Sequence, residues 1–251
     1  MNILPKNVPP EFNRVGNFKT HQSWEVTNMP RFLELMEEVL TLVAPGFYFS
    51  DNLFTWCRNN SAADDAAFQK AFTSNCKNNS DVAIMWRRYI LATSAYHCVQ
   101  LDGDFVECGV YWGTGIKTVV DYLGGKEFPK TFWGYDTYDY HPEEGHVTFA
   151  DQKEGFFEKV QERFAGYDNV KLVKGLLPES FLGNSPDKIA YLHIDLNSAK
   201  YEIEVLEAIF HKVVSGGMII LDDYEWFVSY RWGFIKRALI KCLSLRHLSL
   251  V

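Results

Sequence analysis

The 251-residue chain has no run of about 18 uninterrupted apolar residues, so no segment reads as a membrane-spanning helix. Its start, Met1 to Pro10, has no apolar stretch of the kind found in secretory signals. Cysteine is sparse. The five (Cys57, Cys76, Cys98, Cys108, Cys242) are odd in number and lack C-x-x-C or metal-finger spacing, so buried, unreactive thiols in a reducing cytoplasm are expected. No dense Lys/Arg run occurs, and Lys+Arg 25 against Asp+Glu 32 gives a net charge of -7, which argues against a nucleic-acid partner. Neither the phosphate-cradling G-x-x-x-x-G-K-[ST] nor the dinucleotide G-x-G-x-x-G is present, and there is no internal repeat. What is abundant is core material: 47% hydrophobic and 16% aromatic residues exclude a disordered or coiled-coil chain.

Two patterns divide the sequence. Residues 1–103 read as an amino-terminal arm and helical cap. Within it, residues 1–30 are polar and Asn/Pro-rich, an extended arm rather than a packed element. Apolar residues at Phe32, Leu33, Leu35, Met36, Val39 and Leu40 give a helical period over Arg31–Leu42. Ser50–Asn60 reads as a short helix capped by Asp51, and Asn59–Ser80 as a polar segment with helical turns. Val82–Val99 lacks Gly and Pro and reads as one helix ending near Gly103.

From residue 104 to 251, short apolar runs alternate with helical stretches. Strands are expected at Phe105–Cys108, Thr131–Tyr135, Val170–Lys174, Ile189–Ile194 and Met218–Leu221, with helices at Ile116–Leu123, Gly155–Phe164 and Tyr201–Val213. The fold class is therefore α/β, a doubly wound, mostly parallel sheet buried on both faces. After Tyr230 only Arg231–Val251 remain, and Leu243–Val251 offers one strand, so a shortened carboxyl end is expected.

In such sheets ligands bind beyond the carboxyl ends of the strands. Glu107, Asp136, Asp195, Asp222 and Asp223 all fall there. A single carboxylate at such a place is commonly a cap or a solvated turn residue, but five together point to a cleft. Between the first core strand and its helix runs Glu107-Cys-Gly109-Val-Tyr-Trp-Gly113-Thr-Gly115, whose glycines permit close backbone approach to a ligand or tight packing. Asp136 ends the next strand, where a carboxylate can accept ribose hydroxyls. Asp195, Asp222 and Asp223 would repel one another in a cleft unless a hard cation joined them, and oxygen-only ligands suit Mg²⁺.

The segments Glu107-Cys-Gly-Val, Phe132-Trp-Gly-Tyr-Asp-Thr-Tyr138, Lys174-Gly-Leu-Leu-Pro178, Leu192-His-Ile-Asp-Leu196 and Gly216-Gly-Met-Ile-Ile-Leu-Asp-Asp-Tyr224 resemble, in order, the motifs of the macrocin O-methyltransferase family. The resemblance runs from about Asp104 to Tyr230. It implies a class I methyltransferase core that uses S-adenosylmethionine and methylates sugars of natural products. It places the methionine moiety against the turn from Glu107 to Gly113, with Gly109, Tyr111 and Thr114, the ribose at Asp136 and Thr137, and the adenine along Lys174-Gly175-Leu176. It also assigns Mg²⁺ to Asp195, Asp222 and Asp223, with Asp195 as candidate general base. One departure is Asn197, where many members have Asp.

The expected partner is a small-molecule hydroxyl acceptor, and a homo-oligomer is the expected state. His141 and His146, in the loop after Asp136, are candidates for proton transfer or substrate contact, and His193 is a buried histidine behind Asp195. A catechol-like acceptor, a nicotinamide oxidoreductase and a catalytically silent binding or assembly protein are the competing readings. The glycine spacing disfavours the oxidoreductase.

Overall fold

Consecutive apolar residues in a strand need cover on both faces, and the second half of the chain supplies it. The computed structural model describes residues 17–43, 46–58, 61–139 and 149–222. Five strands, β4 (Asp104–Cys108), β5 (Phe132–Asp136), β6 (Val170–Lys174), β7 (Ile189–Ile194) and β8 (Val213–Leu221), form a sheet in the order β6-β5-β4-β7-β8. Every neighbouring pair is parallel. The expected doubly wound sheet is therefore present.

Alternate residues of the central strands enter two separate cores. Phe105, Phe132 and Tyr191 pack with Ile116, Val119 and Val120 of helix α6 (Thr114–Tyr122) and Val160 of α7 (Phe156–Arg163). Val106, Tyr135, Leu192 and Ile194 pack with Val205, Leu206 and Ile209 of α8 (Ala199–Ile209). Ile116, Val119 and Val120 are fully buried, and each such side chain contributes about 1.5–3 kcal/mol over leaving it in water. Tyr201–Val213 is expected to be helical throughout. In the structure a single 3₁₀ turn at Phe210–Lys212 follows α8 and β8 begins at Val213, earlier than expected.

The described chain falls into two compact units that divide between Tyr89 and Ile90. The first contains β1 (Phe18–Lys19), α1 (Met29–Leu42), β2 (Tyr48–Ser50), β3 (Leu53–Thr55), α2 (Ser61–Asp64), α3 (Ala66–Asn75) and α4 (Asn79–Ala83). Helix α5 (Met85–Cys98) crosses the division. Asn28 caps α1 by accepting from the Arg31 N–H at 3.1 Å, and Asp65 caps α3 through the Phe68 N–H at 2.9 Å.

Three expectations fail in the first unit. Residues 17–28 are not simply an extended arm, because Phe18–Lys19 pairs in parallel with Tyr48–Phe49. Ser50–Asn60 is not a helix: β2 and β3 form an antiparallel hairpin. Asp51 and Asn52 have φ of 52° and 58°, as a tight two-residue hairpin turn requires, and Asn and Asp tolerate that conformation. Asp51 is no helix cap, since its carboxylate accepts from Arg87 Nε at 2.6 Å, Arg87 Nη2 at 2.9 Å and Trp24 Nε1 at 2.9 Å. The long helix of Val82–Val99 is broken at Ile84, with φ of -94° and ψ of 28°. There the Ala83 carbonyl accepts from Ser50 Oγ at 2.7 Å, and the Trp86 N–H donates to the Tyr48 hydroxyl at 3.3 Å, so side chains take the place of the helical ladder.

Candidate functional site

Strand order reverses between β4 and β7, the position at which open α/β sheets bind ligands. Beyond β4 the chain turns sharply: the Gly113 N–H donates to the Val110 carbonyl at 2.7 Å, and Lys117 N–H to the Gly113 carbonyl at 2.9 Å starts α6. Gly109 has φ +92°, and a Cβ there would lie 1.8 Å from the Asp195 carbonyl oxygen. Gly113 has φ +72°, and its Cβ would meet the Phe164 ring at 2.5 Å. Gly109 is thus required by a backbone contact within the protein, and Gly113 is favoured by its left-handed backbone. Tyr111 adopts φ of 50°, and Thr114 is buried in the first turn of α6.

Asp136 ends β5 and reaches into this turn. Its Oδ2 accepts from the Val110 and Tyr111 N–H groups, both at 2.8 Å. Oδ1 accepts from the Tyr138 N–H at 2.6 Å and from Gln152 Nε2 at 3.4 Å. Burial raises the carboxyl's pKa, opposed by the three backbone donors. Thr137 is half-buried beside it, and Gly175 and Leu176 follow β6, with the Gly175 N–H donating to the Asp136 carbonyl at 3.0 Å. Gln152 and its neighbour Asp151 lie at the same turn. Asp151 accepts from the Tyr111 hydroxyl at 2.9 Å and Trp112 Nε1 at 3.1 Å, which holds its pKa below the ordinary carboxylate range. Nothing in the sequence marks these contacts.

The acidic cluster forms where β7 and β8 end. Backbone bonds from the Asp195 N–H to the Cys108 carbonyl (2.8 Å) and from the Asp222 N–H to the Ile194 carbonyl (3.1 Å) bring both residues to one level. One ligand atom from each of His193, Asp195 and Asp222 lies within 4.8 Å of the others. His193 is in register with Glu107 on β4, and its Nδ1 lies 3.0 Å from Glu107 Oε2, with both residues at most 2% exposed. Its Nε2 is 3.8 Å from Asp222 Oδ1, an ion-pair distance beyond hydrogen-bond reach. Burial alone would lower the His193 pKa, but the Asp222 and Glu107 carboxylates outweigh it and raise it to about 10.

Glu107, expected at the cofactor, therefore has its carboxylate on His193. Asn197 is exposed with φ of 51°, a conformation Asn tolerates. Burial pushes the Cys108 thiol well above its ordinary range, which removes it as a nucleophile. Asp223, His141 and His146 lie outside the described residues. Among the described residues no helix is long and apolar enough to cross a membrane.

A parallel sheet of this strand order, a tight glycine turn after its first strand and carboxylates at the ends of its last two define a cofactor-binding α/β enzyme. The model of the macrocin-O-methyltransferase (TylF) family matches residues 91–234, more than half of the chain, and the chain belongs to that family. It is an S-adenosylmethionine-dependent O-methyltransferase. No curated protein sequence matches it. Among solved structures, the O-methyltransferase NovP is 20% identical over 66% of this chain and 74% of its own, with a TM-score of 0.53. The calicheamicin methyltransferase CalS11 is 17% identical over 77% of this chain and 90% of its own, with a TM-score of 0.50. Its apo form, described as a TDP-rhamnose 3'-O-methyltransferase, is 18% identical with the same TM-score of 0.50, covering 77% of this chain and 91% of that one. At such identities the likeness is one of fold.

Proposed function

We propose that the chain transfers the methyl group of S-adenosylmethionine to a hydroxyl of a sugar or sugar-bearing small molecule, with a divalent cation at Asp195 and Asp222. Mg²⁺ is the ion the family resemblance implies, with Asp223 as a further ligand. The observation that carries this reading is the convergence of Asp195, Asp222 and the buried His193 beside the β4 turn. Two half-buried carboxylates within 4.8 Å of one another fit a cation, because their charges otherwise repel. The acceptor named for CalS11, a TDP-linked sugar, is the natural first candidate.

The residues divide the work. The turn from Glu107 through Gly109, Tyr111 and Gly113 to Thr114 is assigned to the methionine moiety. Asp136 and Thr137 are assigned to the ribose, and Gly175 and Leu176 to the adenine. Of the four hydrogen bonds at Asp136, the Gln152 contact at 3.4 Å is the longest and the one a ribose hydroxyl replaces most readily. Asp195 takes the acceptor proton as general base, with His141 the second candidate for that step. A cation held there lowers the pKa of the hydroxyl and fixes its oxygen. The methyl donor is already an activated sulfonium, so the chain's task is to align oxygen, carbon and sulfur.

The test is methyl transfer from radiolabelled S-adenosylmethionine to a panel of nucleotide sugars and glycosides, with and without chelator. A labelled sugar product, lost in chelator and restored by a divalent ion, is the expected result. Transfer that ignores chelator refutes the cation. Binding of S-adenosylhomocysteine with no transfer to any hydroxyl favours the silent binding protein.

A further inference from the structure

We infer that His193 is a nitrogen ligand of this cation, oriented by Glu107, so that the site takes a first-row transition ion such as Mn²⁺ or Co²⁺ in preference to Mg²⁺. The inference rests on the proposed cation at Asp195 and Asp222 and adds the ion's identity and a nitrogen ligand. Register places Glu107 and His193 side by side on β4 and β7. A carboxylate can only accept, so the Nδ1 atom 3.0 Å from Glu107 Oε2 carries the hydrogen. That bond fixes the ring and directs Nε2 toward the end of β8, where an ion would displace the proton that the neighbouring carboxylates otherwise hold on the ring. Nε2 is buried and has no hydrogen-bond partner among the described residues. Buried polar atoms rarely go unsatisfied.

The distance to Asp222 agrees with a shared ion. Donors about 2.1 Å from one ion stand roughly 3–4 Å apart, and Nε2 is 3.8 Å from Asp222 Oδ1. A histidine that binds a metal through one nitrogen while giving its other N–H to a carboxylate is the usual arrangement in metal sites. Asn197 is exposed at a bend with φ of 51°. Among the described residues the donor that clusters with the two aspartates is the imidazole. Mg²⁺ prefers oxygen and keeps its waters, whereas first-row transition ions accept imidazole nitrogen.

Pulsed electron paramagnetic resonance on the full chain with Mn²⁺ alone decides the matter. Wild-type protein should show nitrogen modulation that changes when histidine is ¹⁵N-labelled, and His193→Gln should lose it. Calorimetry with Mn²⁺ and Mg²⁺ should show the Mn²⁺ preference falling about tenfold in His193→Gln, and Glu107→Gln weakening Mn²⁺ binding by about 10- to 100-fold. The wild-type spectrum needs no variant to fold. If Mn²⁺ binds and Asp222→Asn weakens it, yet no histidine nitrogen couples, the inference is overturned while the cation at the aspartates stands. Nitrogen modulation that persists in His193→Gln overturns it equally. If neither ion binds, both readings fall.

Discussion

Replacing Gly109 by alanine separates two reasons for a glycine after β4. If the glycine serves the cofactor, Gly109→Ala should fold normally and bind S-adenosylhomocysteine poorly. The structure argues instead that it serves the joint between β4 and β7. An added Cβ would begin 1.8 Å from the Asp195 carbonyl oxygen and 2.7 Å from its carbon, where contacts under 3.0 Å are essentially never seen. Both atoms are backbone, so no side chain can swing away, and the strand ends must part. The residue also has φ +92°, and a left-handed conformation costs an L-residue about 1–2 kcal/mol. Parting the strands loosens the 2.8 Å bond from the Asp195 N–H to the Cys108 carbonyl, and an unsatisfied buried group costs about 1–3 kcal/mol. With overpacking of about 1–3 kcal/mol, a loss of roughly 4 kcal/mol or more is expected, against a typical total stability of about 5–15 kcal/mol. At about 2–4 °C per kcal/mol for a chain of this size, the melting temperature should fall by roughly 8–16 °C. Thermal unfolding followed by circular dichroism measures it. A variant that melts within about 2 °C of wild type would refute the contact argument, and cofactor affinity lost at unchanged stability would favour the other reason.

Asp222→Asn should remove divalent-ion dependence and most turnover while leaving S-adenosylhomocysteine affinity nearly intact, as calorimetry and initial rates in chelator will show. Asp136→Ala should do the reverse, weakening cofactor binding, and should also loosen the turn, because the Val110, Tyr111 and Tyr138 N–H groups lose their acceptor. Full cofactor affinity in that variant would exclude Asp136 from the ribose. Lys174 Nζ lies 2.5 Å from Asp139 Oδ1, and this close ion-pair contact holds the Asp139 pKa below the ordinary carboxylate value. The stability from this pair is full above that ordinary value and is lost as pH falls through the lower folded one. Lys174→Met should therefore be less stable than wild type in urea at neutral pH, with the gap closing below about pH 4. A gap that stays constant across that range would rule out the pair as its source.

What the sequence reveals and what it hides follow from the range of each interaction. Strands β4 to β8 were legible because Phe105-Val106 and Tyr191-Leu192 place adjacent side chains into opposite cores, and such runs have no stable alternative in water. The hairpin of β2 and β3 was hidden because its apolar residues are spaced as a helix would have them, and only the paired left-handed Asp51 and Asn52 betray the turn. The acids at 195 and 222 could be placed at strand ends, since local pattern fixes where a strand stops. Their neighbours could not. Glu107 meets His193 only because two strands 86 residues apart lie in register. Gly109 is a glycine because of a carbonyl equally remote in sequence.

These remote contacts bear on the chemistry because they share parts. The backbone joint at Gly109 fixes the height of Asp195 against Cys108, and the buried Glu107–His193 pair lies one step behind it on the same two strands. The turn assigned to the methyl donor and the carboxylates assigned to the cation therefore both follow directly from neighbouring strands of one sheet. Alignment of oxygen, carbon and sulfur depends on distances of this kind being set before substrate arrives. A substitution that shifts the β4–β7 joint should then weaken cofactor and cation binding together. One that removes only a carboxylate at the end of β8 should weaken the cation alone.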